Sequence, residues 1–165
     1  MTPGSVVSIH VGSSRKATLD RVGRVEAIRG RGLAGDRYCD GTGTWSNHPN
    51  PSGKQVTLLE AEVVAGLIDR GLIVGSGDIR RNIVTRSVEL SGLIGRRFRV
   101  GEAVLFGVRA CEPCRYLESL TARGLCEALA GRGGLRADVV AGGCIGVGDT
   151  IEVLDRGSLS ASGYL

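Results

Sequence analysis

Residues Arg97 to Val108 read RFRVGEAVLFGV. Two short apolar runs, Arg97 to Val100 and Val104 to Val108, flank a glycine-bearing break. In the second, Val104, Phe106 and Val108 recur at the two-residue period of a strand with one face buried. Runs of the same kind lie on both sides. Val7, Ile9 and Val11 alternate with Ser8 and His10, which predicts a strand burying the valine and isoleucine face. Val22 to Ile28, Gln55 to Leu59 and Asn82 to Arg86 read as further strands. Leu135 to Val140 and Asp149 to Leu154 close the series, with GGCIGVGD read as the turn between them.

Helical spacing is confined to a few stretches. Val64, Leu67 and Ile68 predict a helix running straight on from Gln55 to Leu59, with Gly71 capping its end. Leu117 and Leu120 predict a short helix after Cys114, and Leu125, Ala128 and Leu129 a second, with Thr121 as its N-cap. Many short strands with so few helices point to a mainly β, barrel-like fold rather than an alternating βαβ fold, and closure removes exposed edges. The 27 glycines against 4 prolines are spread between the apolar runs, as tight turns require. One long segment, Arg29 to Gly53, keeps no period and is expected to be functional or disordered.

At 165 residues, 42% of them apolar, the chain can bury one core, so residues 1–155 are expected to form a single domain. The small, polar residues 156–165 (RGSLSASGYL) are expected to form a disordered tail. No run approaches the roughly 20 apolar residues of a membrane span, and no export signal precedes the first strand, so the expected location is the cytoplasm. The 5 cysteines are accordingly read as reduced thiols. The net charge is +4, and all basic residues except Lys16 and Lys54 are arginine, whose fork suits phosphate and carboxylate. An anionic small molecule fits that excess. Nucleic acid fits less well, because the charge is dispersed and Trp45 is one of only 6 aromatics available for stacking.

The sharpest local signal is ACEPCRYLESL, Ala110 to Leu120. Cys114 stands at the start of a predicted helix and is followed by Arg115. Unpaired helix N–H groups and a guanidinium both favour a thiolate. The competing reading makes Cys111 and Cys114 small buried hydrophobes at a strand end. A zinc site needs a second C-x-x-C or a histidine pair, and neither is present. Cys126 is read on the apolar face of a helix, Cys144 in a turn and Cys39 in the long loop, where it can be exposed.

Three further segments can hold an anion. In GDIRRN, Gly77 to Asn82, Arg80 and Arg81 alternate in direction on an extended backbone, so that one of them at most enters a shared pocket; a solvated charged turn is the alternative. In GLAGDRY, Gly32 to Tyr38, Asp36 and Arg37 either contact a ligand or pair to organise the loop. In RGGLR, Arg132 to Arg136, two arginines flank a glycine pair that matches no phosphate-loop fingerprint.

Taken in order, GLAGDRY, QVTLLEAE, GDIRRNIV, CEPCRYLE, GRGGLRADV and GGCIGVGD resemble the stand-alone MOSC domains (molybdenum-cofactor sulfurase C-terminal), over about Gly23 to Leu154. The resemblance implies a β-barrel and makes Cys114 a residue that carries sulfur or ligates molybdenum. It places Arg80, Arg81, Asn82, Arg132 and Arg136 around an anionic pterin, with Arg115, Asp36 and Arg37 in the same cofactor-binding set. It also carries a family-level association with pyridoxal phosphate. Some relatives resemble reductases of N-hydroxylated compounds; without a flavin or iron–sulfur signature this chain would need a separate reductase, just as a sulfur carrier needs a sulfur donor protein. Many relatives have His where Tyr38 stands, so a mechanism needing that imidazole is not available here.

Overall fold

The computed structural model describes residues 3–13, 19–43, 46, 52–73, 75, 79–113 and 115–154, with the backbone alone at 115–117. The tail read at 156–165 lies outside the described residues. The strands are β1 (Gly4–Val11), β2 (Asp20–Val22), β3 (Arg24–Ile28), β4 (Gly32–Leu33), β5 (Val56–Glu60), β6 (Ile83–Arg86), β7 (Arg97–Val100), β8 (Ala103–Ala110), β9 (Leu135–Ala141), β10 (Gly143–Gly146) and β11 (Thr150–Val153). The helices are α1 (Ala61–Asp69), α2 (Arg115–Leu120) and α3 (Leu125–Leu129), and a 3-10 turn spans Leu90–Leu93.

Seven strands close a barrel in the order β1, β11, β7, β8, β9, β5, β6 and back to β1. Its interior is filled by side chains from every one of these strands, among them Val6, Leu58, Ile83, Phe98, Leu105, Leu135 and Ile151. The remaining strand of that sheet, β2, pairs with β1. A small second sheet, ordered β10, β3, β4, adds Val25, Ala27, Leu33 and Ile145 to the same cluster. Each fully buried side chain of this kind stabilises the fold by about 1.5–3 kcal/mol. The mainly β, barrel-like architecture expected from the strand pattern is therefore the one found. One βαβ unit is embedded in it: β5 and β6 are parallel, and α1 lies between them in the chain.

Several local expectations change. In β1 both faces are buried, because Val7 is an extra residue in the pairing with β6, where Val6 opposes Thr85 and Ser8 opposes Val84. The bulge turns Val6 and Ile9 into the barrel and leaves Ser8 and His10 buried outside it rather than solvated. In β8 the barrel-facing residues are Ala103 and Leu105, not Val104, Phe106 and Val108. The run read as one strand from Val22 to Ile28 breaks at Gly23 into β2 and β3. GGCIGVGD is not all turn, since its first half forms β10 and pairs with β3, which puts Cys144 in a strand.

A second apolar cluster lies outside the barrel. Leu59 and Val84 pack there with Val64 and Leu67 of α1, Ile73, Ile79, and Leu125 and Leu129 of α3. Ile68, expected on the buried face, is 41% exposed. Helix α1 ends as expected at Gly71: its N–H donates to Ile68 O and that of Leu72 to Leu67 O, a pattern that needs the left-handed φ of +73°. Helix α3 starts at Gly124, not at Thr121, because its first N–H groups are satisfied by a carboxylate from α2 instead of a hydroxyl: Glu118 Oε1 accepts from Gly124 N at 3.1 Å and Cys126 N at 3.0 Å. Among the described residues no helix is long and apolar enough to cross a membrane.

Candidate functional site

Thr57 lies between Val56 and Leu58, and Arg136 between Leu135 and Ala137, all four flanking residues being in the barrel core. Both polar residues therefore point away from the barrel interior, and they oppose one another across β5 and β9. Around this face gather most of the buried polar side chains: Ser8, His10, Asp36, Arg37, Thr57, Arg81, Asn82 and Asp138. Removing such groups from water is costly unless they are hydrogen-bonded, so their partners define the site.

Asn82 is the hub. Its Oδ1 accepts from the backbone N–H of Thr57 at 3.0 Å and from its hydroxyl at 3.2 Å. Its Nδ2 donates to His10 O at 3.0 Å and to Asp36 Oδ1 at 3.3 Å. Asp36, fully buried, also accepts from Gly12 N, Tyr38 N and Arg37 Nη1, the last at 3.4 Å. Of the two readings of Asp36 and Arg37, the structural pair is thus realised: the carboxylate ties the long loop to β1 and to the turn before β6. Within this loop Leu33, Asp36 and Cys39 are buried. Arg37 also stacks over the Tyr38 ring, 4.9 Å from its centroid.

The extended backbone expected through Arg80 and Arg81 is not found at Arg80. Arg80 has a left-handed φ of +59°, unusual for a residue with a side chain, and is half-buried. Arg81 is buried, and its Nε donates to Gly133 O at 2.9 Å. Its Nη2 is buried with no hydrogen-bond partner among the described residues, and so is Nε of Arg37. An unpaired buried N–H costs about 1–3 kcal/mol, and an anion is what a guanidinium pairs with best.

The RGGLR segment owes its glycines to close backbone approach. A Cβ on Gly133 would collide with Cys111 O and lie 3.0 Å from Pro113 Cδ, and one on Gly134, at φ +105°, would collide with Leu58 O. Cys111 N in turn donates to Gly134 O at 2.7 Å. The peptide segment from Cys111 to Pro113 is therefore stitched to the loop whose carbonyl holds Arg81. Cys114, the next residue but one after Glu112, lies outside the described residues, as does the Arg115 side chain. Arg132 is exposed; Arg136 is half-buried and donates to Gly53 O at 3.4 Å. Its direct cross-strand partner Arg109 donates to Ser52 O at 3.0 Å, and Asp138 accepts from Gly53 N at 2.9 Å.

Ser8, His10, Thr57, Arg109 and Asp138 belong to this face and escaped the sequence reading. Their polarity in strand positions reads as a solvent face, yet Ser8, His10, Thr57 and Asp138 are buried and Arg109 is half-buried. His10 Nε2 and Ser8 Oγ are 2.9 Å apart, and burial, reinforced by the nearby Arg21, holds the imidazole below its ordinary pKa. Of the other thiols, Cys111 is fully buried, and Cys39 is buried rather than exposed, with burial pushing its thiol up. Cys144 accepts from Arg24 Nε and Nη2 at 3.3 and 3.2 Å. Among the described residues no three His, Cys, Asp or Glu side chains come together as a metal site.

A closed seven-stranded barrel with few short helices and a buried polar face on its outer side defines a class of small β-barrel domains. The MOSC domain family matches residues 42–152, and the chain belongs to that family. Solved structures share the fold. YuaD from Bacillus subtilis superposes with a TM-score of 0.74 at 17% identity, over 92% of this chain and 96% of that one. YiiM from Geobacillus stearothermophilus gives 0.67 at 17% identity, over 94% and 77%. YiiM from Escherichia coli gives 0.68 at 18% identity, over 96% and 73%. No curated protein matches the chain.

Proposed function

We propose that this face binds an anionic pterin cofactor of the molybdopterin type and that Cys114 is its sulfur-bearing residue, either carrying sulfur as a persulfide or acting as a thiolate ligand. MOSC domains are associated with molybdenum-cofactor binding, which gives the class of ligand. The observation that carries the reading is Arg81: buried, bonded to the loop that packs on the Cys111 to Pro113 segment, and with its Nη2 amino group left unpaired among the described residues. That orphaned donor fits an anionic group, as does the orphaned Nε of Arg37. Arg80, Arg81, Arg132 and Arg136 would hold the anionic parts and Arg115 would favour the thiolate of Cys114, while Asn82, Asp36 and Arg37 keep the face in shape. When bound, a molybdenum dithiolene supplies two-electron redox chemistry, and thiolate is a soft ligand suited to it.

As a carrier, the Cys114 thiolate attacks the outer sulfur of a donor persulfide. A new bond forms between Cys114 Sγ and that sulfur, the donor S–S bond breaks, and the donor leaves as a thiolate. Such a role calls for a donor protein and a reducing compartment, for which the cytoplasm is the proposed location.

Protein purified from a molybdenum-replete host should carry molybdopterin, or a sulfur adduct of +32 Da on the Cys114 peptide by mass spectrometry, which is one sulfur atom gained. Wild-type protein with neither, indistinguishable from Cys114→Ala, refutes the proposal.

A further inference from the structure

Arg109 on β8 and Arg136 on β9 oppose one another directly, and both are half-buried. Like charges in that position repel. What lies against them is backbone. Arg109 Nη1 donates to Ser52 O at 3.0 Å, and Arg136 Nη1 to Gly53 O at 3.4 Å. Gly53 is buried against both: a Cβ on it would stand 2.7 Å from Arg109 Nη1 and 3.4 Å from Arg136 Cβ. The segment is fixed at a third point, since Gly53 N donates to Asp138 Oδ1 at 2.9 Å.

Two carbonyls do not neutralise two guanidiniums, and neither arginine forms an ion pair among the described residues. In each, Nη1 is the nitrogen used, which leaves Nε and Nη2 without a hydrogen-bond partner among the described residues. Those two nitrogens form the edge that offers parallel N–H bonds to an oxyanion. Holding a loop asks for an N–H donor, which a neutral glutamine supplies; it does not ask for two full charges placed opposite one another. We infer that Arg109 and Arg136 form a subsite for a phosphate monoester, a dianion whose oxygens bridge the two free edges and cancel the repulsion. A single carboxylate would cancel half of it. The inference deepens the proposed binding of an anionic ligand and rests on it only for the source of the phosphate, which is either the cofactor's own or that of a separate small molecule.

The test is titration of the full chain with inorganic phosphate at constant ionic strength and about pH 8, where phosphate is a dianion. Arginine Nε–H signals are followed by NMR and assigned by their loss in the variants. In wild type the Arg109 and Arg136 signals should shift together and saturate with one constant of about 1–10 mM, and Tm should rise alongside. Arg109→Met should weaken binding about tenfold or more. Arg109→Lys keeps the charge and a donor for Ser52 O, so it holds the loop, yet it loses the fork and should still weaken binding about fivefold. Arg99→Gln, exposed on β7, should bind within about twofold of wild type. Shifts that do not saturate or that move independently, both Arg109 variants binding like wild type, or an equal loss in Arg99→Gln overturns the inference and leaves the pair a loop clamp. If Arg109→Met loses molybdopterin on purification together with phosphate binding, the phosphate is the cofactor's; if it keeps molybdopterin, the subsite serves a separate phosphorylated molecule. Wild type that carries no molybdopterin yet binds phosphate at this pair counts against the cofactor and leaves the subsite standing.

Discussion

Asn82 and Asp36, 46 residues apart in sequence, meet through one hydrogen bond of 3.3 Å inside the protein. The bond links the turn before β6 to the long loop, and the same amide grips Thr57 on β5 and His10 on β1. Replacing Asn82 with Ala therefore leaves the Thr57 N–H, His10 O and part of the Asp36 carboxylate unsatisfied in a dry place. The expected loss is about 3 kcal/mol. For a chain of this size that is roughly 6–12 °C in Tm, readable by calorimetry. Asn82→Asp should be at least as damaging, because it sets a second carboxylate against Asp36.

His10 gives the fold a pH dependence of known sign. Its folded pKa lies below 6.5, so between that value and 6.5 the unfolded chain binds a proton that the folded chain does not. This contribution to stability is complete above pH 6.5 and is lost as pH falls toward the folded pKa. Urea titrations at pH 7.5, 6.5 and 5.5 should show a decline between the last two, bounded by about 1.4 kcal/mol per pH unit for one group. In His10→Gln the decline should be shallower; an identical slope would assign it to other groups.

On α1, neighbouring apolar residues should behave oppositely. Leu67 is 2% exposed and sits in the outer cluster, so Leu67→Ala should cost about 2–5 kcal/mol. Ile68 is 41% exposed, and Ile68→Ser should stay within about 0.5 kcal/mol. Denaturant midpoints of the two variants settle the helix's rotation.

The glycine pair before β9 should not tolerate a methyl group. Gly134→Ala meets both a left-handed φ and the carbonyl of Leu58, and backbone cannot step aside as a side chain can. Loss of about 3 kcal/mol or more, or insoluble protein on expression, is expected. By contrast, a Cβ at Gly131, two residues before the pair, meets nothing within 4 Å, although its φ is +76°. Gly131→Asn, suited to that conformation, should be nearly silent by Tm.

Arg81→Met tests the site without a large change in packing. It should cost about 1–3 kcal/mol through the orphaned Gly133 carbonyl. It should also abolish retention of the anionic cofactor on purification, whereas the exposed Arg132→Met should leave Tm unchanged. Full cofactor content in Arg81→Met would remove Arg81 from the ligand's contacts.

Most strands were legible because each is a short apolar run bounded by turn residues, and burial of such runs is a local demand that the chain itself records; the break at Gly23 and the short strands β4 and β10 were not. Helix α1 and its end at Gly71 were legible for the same reason. What each strand faces was not. The bulge at Val7 is a property of pairing with β6, and it reverses the meaning of Ser8 and His10, which read locally as a solvent face. Ile68 and Leu67 are both apolar, and only the packing of α1 against β5, β6 and the rest of the outer cluster decides which is covered. Among the anion-binding candidates, composition marked the arginines, but whether a guanidinium is clasped, stacked or left with an unpaired N–H depends on carbonyls brought in from distant segments, such as Gly133 beside Arg81. Sequence determined which segments must be buried; closure of the barrel and the loop folded over its outer face decided which polar groups are buried with them, because those partners are set by contacts across the chain and not along it.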